Sequence, residues 1–483
     1  MKKYYLLLIV AMTLPLFWGC GDDDDNVDDP VEEPAVTAPK VVSTSIDDGA
    51  TDIAIGTLVV QVEYDKVINR SSDASLQPVV TGGTLSSAAT VSGKNLTFSV
   101  SCPDYDTKVT ITIPKGLIGV TGALADAYTF SYTTVKKPEA PTGNISATPL
   151  TQNAAARKLY TYFYEQYGKK VVSSVMADVN WNHSLAEKVK KLTGKYPAMN
   201  CYDFIHIYVP AGNGWIDYSD ITPVKEWANA GGIVQLMWHF NVPLTETTEV
   251  KPNGEGVTCS PDKTTFRASN ALKDGTWENK WFYQEMDKVI AVILQLQQEG
   301  IAATWRPFHE AAGNATLKSG ASWGKSWFWW GYDGADTYKQ LWKAMYDYFK
   351  QKGVENLIWI WTTQNYNGSS SQFNQDADWY PGEAYVDMVA RDLYGYTAAQ
   401  NAQEFAEIQA TYPTKMVVLG ECGKGDSGEQ GLIGDCWTQG AKWGHFMVWY
   451  QGGQGSTDTM CSDRWWNDVM SNENVITRDQ LPN

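Results

Sequence analysis

The sequence predicts a (β/α)8 barrel over residues 151–483, preceded by a small all-β sandwich over residues 38–136. In the longer segment eight apolar, strand-like runs alternate with amphipathic ones, the alternation that builds a parallel sheet with helices outside it. In the shorter one, brief runs of period-two alternation are separated by turn-forming glycines, the pattern of antiparallel strands. A chain of 483 residues is also too long for one ordinary core.

Residues 1–20, MKKYYLLLIVAMTLPLFWGC, carry Lys2 and Lys3 and then an apolar stretch from Leu6 to Phe17. This is a signal peptide, too short to span a bilayer. Its end, Leu16-Phe17-Trp18-Gly19-Cys20, resembles a bacterial lipobox, which implies lipid on Cys20 as the mature N-terminus. Residues 21–37 form an acidic tether with a dense run of Asp and Glu between Asp22 and Glu33. Such a run repels itself and has almost nothing to bury. It resembles the acidic export signals of some Gram-negative lipoproteins. The expectation is an outer-membrane lipoprotein facing the cell exterior, held to the membrane through its N-terminal lipid. The net charge of −17 comes with no basic patch, so nucleic acid is not an expected partner. Beyond Cys20 the cysteines are 102, 201, 259, 422, 436 and 461, with no CxxC pair. Neither a structural zinc nor a cofactor is expected.

Within 38–136, TLVVQVEY (57–64), NLTFSV (95–100), KVTITI (108–113) and AYTFSYTT (127–134) read as strands. The stretch VVSTSIDDGATDIAIGTLVVQVEYDKVI resembles bacterial Ig-like domains. It holds no tryptophan or histidine and so no large aromatic platform for a sugar, which suggests a spacer. Residues 137–150, opening on the proline-rich stretch around PEAPTGN, are the linker.

The barrel segment contains every tryptophan except Trp18, and all five histidines. Its strands are expected at 171–177, 198–207, 232–240, 301–310, 356–364, 385–395, 415–422 and 445–452. Active sites of such barrels lie at the C-terminal ends of the strands. The fourth strand runs into TWRPFHEAAG, ending at Glu310, and the seventh into VVLGECG, ending at Glu421. The two glutamates therefore face one mouth. A pair of carboxylates across an aromatic cleft is what glycoside hydrolysis needs: one protonated to serve the leaving oxygen, the other ionised to attack the anomeric carbon. HExxH zinc chemistry is excluded because residue 313 is Gly. GDSG at 425–428 follows a barrel strand and lacks a His/Asp framework.

WRPFHE, WFWWG (327–331), DLYG (392–395), GEC (420–422) and FMVWY (446–450) together resemble glycoside hydrolase family 26, retaining barrel enzymes that are chiefly endo-β-1,4-mannanases. The resemblance implies Glu310 as acid/base and Glu421 as nucleophile. It implies substrate contacts from His239 and His309 and a Tyr394 hydroxyl that holds the nucleophile. Asp392 would orient polar neighbours, and Trp327 and Trp449 would be stacking platforms. Tyr450 stands where many relatives carry an arginine, and so would serve a more distant subsite by stacking. The loop 314–326 is longer than is common in the family, and Ala311 stands where a polar residue often follows the acid. The expected substrate is mannan, galactomannan or glucomannan. The alternatives are a β-1,3/1,4-glucanase or β-1,3-xylanase of the same fold, or a glycan-binding surface lipoprotein without catalysis.

Overall fold

The computed structural model describes residues 36–136 and 144–482, apart from 54, 103, 179–180, 214, 314–325, 365–375, 427 and 452–458. Cys20, the lipobox and the acidic tether as far as residue 35 lie outside the described residues, as does all of the long loop except Ser326.

The N-terminal sandwich has two four-stranded sheets. In Asn95–Cys102 every second side chain is buried. Leu96, Phe98 and Val100 meet Val109, Ile111 and Phe130 of the opposite sheet in one apolar cluster. The sandwich touches the barrel through Tyr105, whose hydroxyl donates to the Ala399 carbonyl at 3.1 Å and whose ring packs on the barrel's core.

The barrel strands are β1 (Val171–Met176), β2 (Met199–Asp203), β3 (Ile233–Trp238), β4 (Ala303–Pro307), β5 (Leu357–Thr363), β6 (Met388–Tyr394), β7 (Met416–Gly423) and β8 (His445–Val448). They pair in chain order, all parallel, and β1 pairs with both β8 and β2, which closes the ring. Around it lie α1 (Ser184–Thr193), α2 (Thr222–Asn229), α3 (Trp277–Gln298), α4 (Ala335–Gln351), α5 (Ala398–Thr411), α6 (Ile433–Gln439) and α7 (Asp463–Ser471). In α3 the Thr276 hydroxyl caps the first turn by accepting from the Asn279 amide. Phe282, Met286, Val289, Ile293 and Leu296 follow at three- and four-residue spacing and bury one face. The fifth unit departs from expectation. Among the described residues, 3-10 turns at Asp376–Trp379 and Glu383–Tyr385 stand between β5 and β6 in place of a helix. The intervening NYNGSSSQFNQDADWYPGE is rich in Asn, Ser, Gly and Gln and has no apolar period to bury.

Alternation along the strands divides the core. Ile358 and Ile360 of β5 join Met388, Ala390, Met416 and Val418 in one interior cluster, while Leu357, Trp359 and Trp361 face the helices. A second cluster, Met176, Cys201, Met237 and Met447, has Trp449 and Tyr450 packed against it.

One irregularity positions the site. Between β6 and β7, Arg391 pairs with Leu419 but Asp392 pairs with Glu421, leaving Gly420 unmatched. Strict alternation from Met416 and Val418 would turn Gly420 inward and Glu421 outward. The bulge shifts the phase by one, so Glu421 turns into the mouth and Cys422 joins the outer core. A Cβ at position 420 would lie 2.5 Å from Asp392 Oδ1 and 3.0 Å from the Ala390 Cβ. Gly420→Ala is therefore expected to destabilise the barrel by roughly 1–3 kcal/mol, the scale of core overpacking. Urea unfolding measures this, and a wild-type midpoint would mean that the bulge has room to spare.

Candidate active site

β4 stops at Pro307, which has no N–H to carry the ladder further. Glu310 thus stands three residues past the strand, not at its end. Phe308 and Glu310 both adopt left-handed backbone, with φ of 46° and 50°. Two non-glycine residues in that region are costly and persist only where the surroundings dictate them. Here the Trp330 indole donates to the His309 carbonyl at 2.8 Å and the Tyr338 hydroxyl to the Phe308 carbonyl at 3.1 Å. The Phe308 ring lies parallel to those of Phe240 and Phe282. The turn aims Glu310 into the mouth, where the Trp327 indole N–H donates to its Oε2 at 2.9 Å.

Opposite it, Glu421 is buried. Its Oε2 accepts from the Tyr394 hydroxyl at 2.5 Å, and its Oε1 is bonded to Arg306 Nη2. The other arm of the Arg306 guanidinium reaches Asp392 Oδ2 at 2.9 Å and Thr362 Oγ1 at 3.2 Å. Asp392 is thus engaged by Arg306. Glu310, Asp392 and Glu421 each bring a carboxylate oxygen within 4.8 Å of the others. Such a cluster could hold a cation, and Arg306, fully buried, supplies that charge to two of its members.

One guanidinium cannot neutralise three carboxylates. A proton kept on one of them relieves the excess charge, and Glu310, which Arg306 does not touch, is the group placed to hold it. Burial pushes its pKa well above the ordinary carboxylate range, and the charges of Asp392 and Glu421 push it the same way. Burial also lifts Asp392, to about 7, against the pull of Arg306. The Tyr394 hydroxyl is driven up by burial and by Glu421, so it remains a donor.

The histidines complete one wall. His309 Nε2 lies 3.1 Å from His239 Nε2 and 3.7 Å from Glu421 Oε1. His239 Nδ1 is 2.6 Å from Asp203 Oδ2, and its backbone N–H donates to Oδ1 at 2.9 Å. Burial works against a charge on His239, but Asp203 outweighs it and the pKa rises. Burial, His239 and Arg306 all hold His309 well down. The Trp449 ring is 5.5 Å from that of His239, and Tyr450 packs 5.0 Å from Trp449. Burial raises the Tyr450 hydroxyl to about 12, with Asp203 and Glu421 adding to the effect. Trp329 and Trp330 are core, each with its indole N–H on a backbone carbonyl.

The structure therefore gathers Glu310, Glu421, His239, His309, Trp327, Asp392, Tyr394, Trp449 and Tyr450 at one mouth. Sequence reasoning passed over two further members. Arg306 was visible as a lone cation inside an otherwise apolar strand, and Asp203 as a carboxylate ending β2. Arg306→Met would leave Asp392 and Glu421 buried without a counter-charge, at a cost of about 3–5 kcal/mol near neutral pH. Asp392, at about 7 with Arg306 in place, would rise further without it. The Asp392 share of the cost is thus largest at high pH and fades as the pH falls through about 7. Denaturant unfolding of both proteins at several pH values checks this, and a pH-independent difference contradicts it.

Residues 148–479 match the family described as Glycosyl hydrolase family 26, and residues 35–134 match the Bacterial Ig-like domain. A curated relative, "Mannan endo-1,4-beta-mannosidase" of Thermothelomyces thermophilus, is 28% identical over 340 residues, 68% of this chain and 62% of that protein. "Mannan endo-1,4-beta-mannosidase B" of Piromyces sp is 28% identical over 343 residues, 68% of this chain and 52% of that protein. The chain thus spans only 62% and 52% of the length of these curated relatives. Among solved structures, the GH26 domain of a Prevotella bryantii endo-beta-mannanase/endo-beta-glucanase is 56% identical with a TM-score of 0.67, covering 70% of this chain and 100% of its own. A beta-mannanase from a symbiotic protist of the termite Reticulitermes speratus, complexed with gluco-manno-oligosaccharide, is 30% identical with a TM-score of 0.54, covering 70% and 99%. With the whole barrel inside the matched segment, the chain belongs to glycoside hydrolase family 26.

Proposed function

We propose that the protein is a retaining, endo-acting glycoside hydrolase that cleaves β-1,4-mannosidic bonds in mannan, galactomannan or glucomannan. The observation that carries this reading is the pair Glu310 and Glu421, with carboxylate oxygens within 4.8 Å and unlike surroundings. Retention needs carboxyl groups about 5–5.5 Å apart, whereas inversion leaves room for a water between them. The choice of mannan rests on the relatives, which are named for that activity.

In this mechanism Glu310 protonates the departing glycosidic oxygen as Glu421 attacks the anomeric carbon. Its raised pKa keeps the proton available until the bond breaks. Arg306 and the Tyr394 hydroxyl balance the charge on Glu421 and fix the direction from which it attacks. The Trp327 indole N–H holds the acid in place and stabilises the carboxylate left after transfer. That carboxylate then removes a proton from the water that opens the glycosyl–enzyme ester. His239, His309, Trp449 and Tyr450 line the wall where the sugar would lie, offering ring faces and a few hydrogen-bonding groups.

Proton NMR of the first product from a β-mannan should show the β-anomer, and initial α-anomer contradicts retention. Glu310→Ala and Glu421→Ala should differ in kind. Without the acid, aryl mannosides with good leaving groups still glycosylate the enzyme, because they need little protonation. Without the nucleophile they do not, and equal losses on both substrate types for Glu310→Ala would reverse the assignment. We further propose a lipid anchor on Cys20 and a position on the outer face of the outer membrane, supported by the lipobox-like residues 16–20 and the acidic run after them. Cys20→Ala should release the protein from the membrane fraction, and external protease should remove the native form from intact cells. Retention of the variant, or protection from protease, argues against this location.

A further inference from the structure

We propose that Asp203 is a positioning residue, which sets the protonated nitrogen of His239 and through it the single hydrogen bond between His239 and His309 beside Glu421. The inference rests on the hydrolase reading above for its kinetic consequence, but not for its structural content.

The two imidazoles meet through like atoms, Nε2 against Nε2, at 3.1 Å. At that distance two bare nitrogens repel and two N–H groups collide, so one proton lies between them. Which ring owns it is decided outside the pair. Asp203 ends β2 with both carboxylate oxygens turned on one residue of the neighbouring strand end. Oδ1 takes the His239 backbone N–H at 2.9 Å, and Oδ2 lies 2.6 Å from His239 Nδ1. The Asp203 side chain is 3% exposed, so water does not compete for these oxygens. A buried carboxylate only accepts, so Nδ1 of His239 must carry its proton. In neutral His239, the form favoured above its raised pKa, the Nε2 is then bare and accepts from His309 Nε2–H.

This direction also suits His309. Its Nδ1 is buried and has no hydrogen-bond partner among the described residues. If its proton sat there, the ring would strand a buried N–H donor, the rarer and costlier kind of orphan. With the proton on Nε2, the donor faces His239 and has Glu421 Oε1 3.7 Å away. Asp203 thus stands to the nucleophile as an outer orienter, acting through two rings. Its position between a histidine and the backbone is that of the carboxylates that fix tautomers elsewhere.

Asp203→Asn is nearly isosteric and keeps an acceptor for the backbone N–H, but its amide can present N–H to His239 Nδ1. That would move the proton to His239 Nε2, where it opposes the His309 Nε2–H. Nitrogen-15 NMR of histidine-labelled protein without substrate should show His239 protonated at Nδ1 in the native chain and the tautomer reversed in Asp203→Asn. On manno-oligosaccharides the variant should lose roughly 10–100-fold in kcat, the range seen when such orienting groups are removed, with KM within about threefold. A native His239 that is bare at Nδ1 overturns the proposal whatever the variant does. So does a reversed tautomer with unchanged kcat, or an unreversed tautomer with kcat lost. If the native chain shows the tautomer but cleaves no mannan, the substrate reading fails and the role of Asp203 in setting the tautomer stands.

Discussion

A single buried guanidinium organises this barrel mouth. Arg306 lies inside β4 with no exposure, and its two arms bind carboxylates from β6 and β7. A charge so placed is tolerable only because both partners are close and well aligned. The same contacts hold β4, β6 and β7 at fixed separation on the side where the ring carries its polar cargo. They also make the two glutamates unequal. Glu421 has a cation and a hydroxyl in contact, while Glu310 has an indole N–H and the repulsion of two neighbouring carboxylates. The two are one residue type, separated in behaviour by what touches them.

Around that charge balance the aromatic residues act chiefly as framework. Most of the barrel's tryptophans are buried, and several direct an indole N–H at a backbone carbonyl. Trp329 holds the carbonyl of Phe240 and Trp330 that of His309. These bonds secure the loops after β3 and β4 from behind. The left-handed residues Phe308 and Glu310 are affordable because this shell leaves the turn no alternative. The rigid backing fixes where Glu310 points before anything enters the cleft.

Much of this was legible in the sequence, for reasons that particular residues illustrate. The strands are buried on both faces, so runs such as LIWIWTT and VVLGEC stand out as continuous apolar stretches. Glu310 and Glu421 stand out because each follows such a run. Counting strands implied a helix after β5 in a segment whose Asn, Ser and Gly content argued against one, and the described residues there form 3-10 turns. Arg306 and Asp203 were passed over because their importance lies in pairing across strands. Asp203 meets His239 across 36 positions, and Arg306 meets Glu421 across 115. No local pattern announces such partners. Trp327 was expected as a sugar platform, and its bond to Glu310 depends on an indole orientation that sequence does not record.

The bulge at Gly420 means that the barrel mouth depends on the pairing register of a strand as much as on its letters. Pairing that glycine in a regular ladder would leave every polar side chain of the site in the chain, yet it would put Glu421 in the frame that faces the helices and Cys422 in the frame that faces the cleft. A redesign that regularised β7 for stability would make this same error while conserving both glutamates. In relatives of this barrel, the pairing register at the end of the seventh strand is therefore as informative about where the glutamate points as the presence of the glutamate itself.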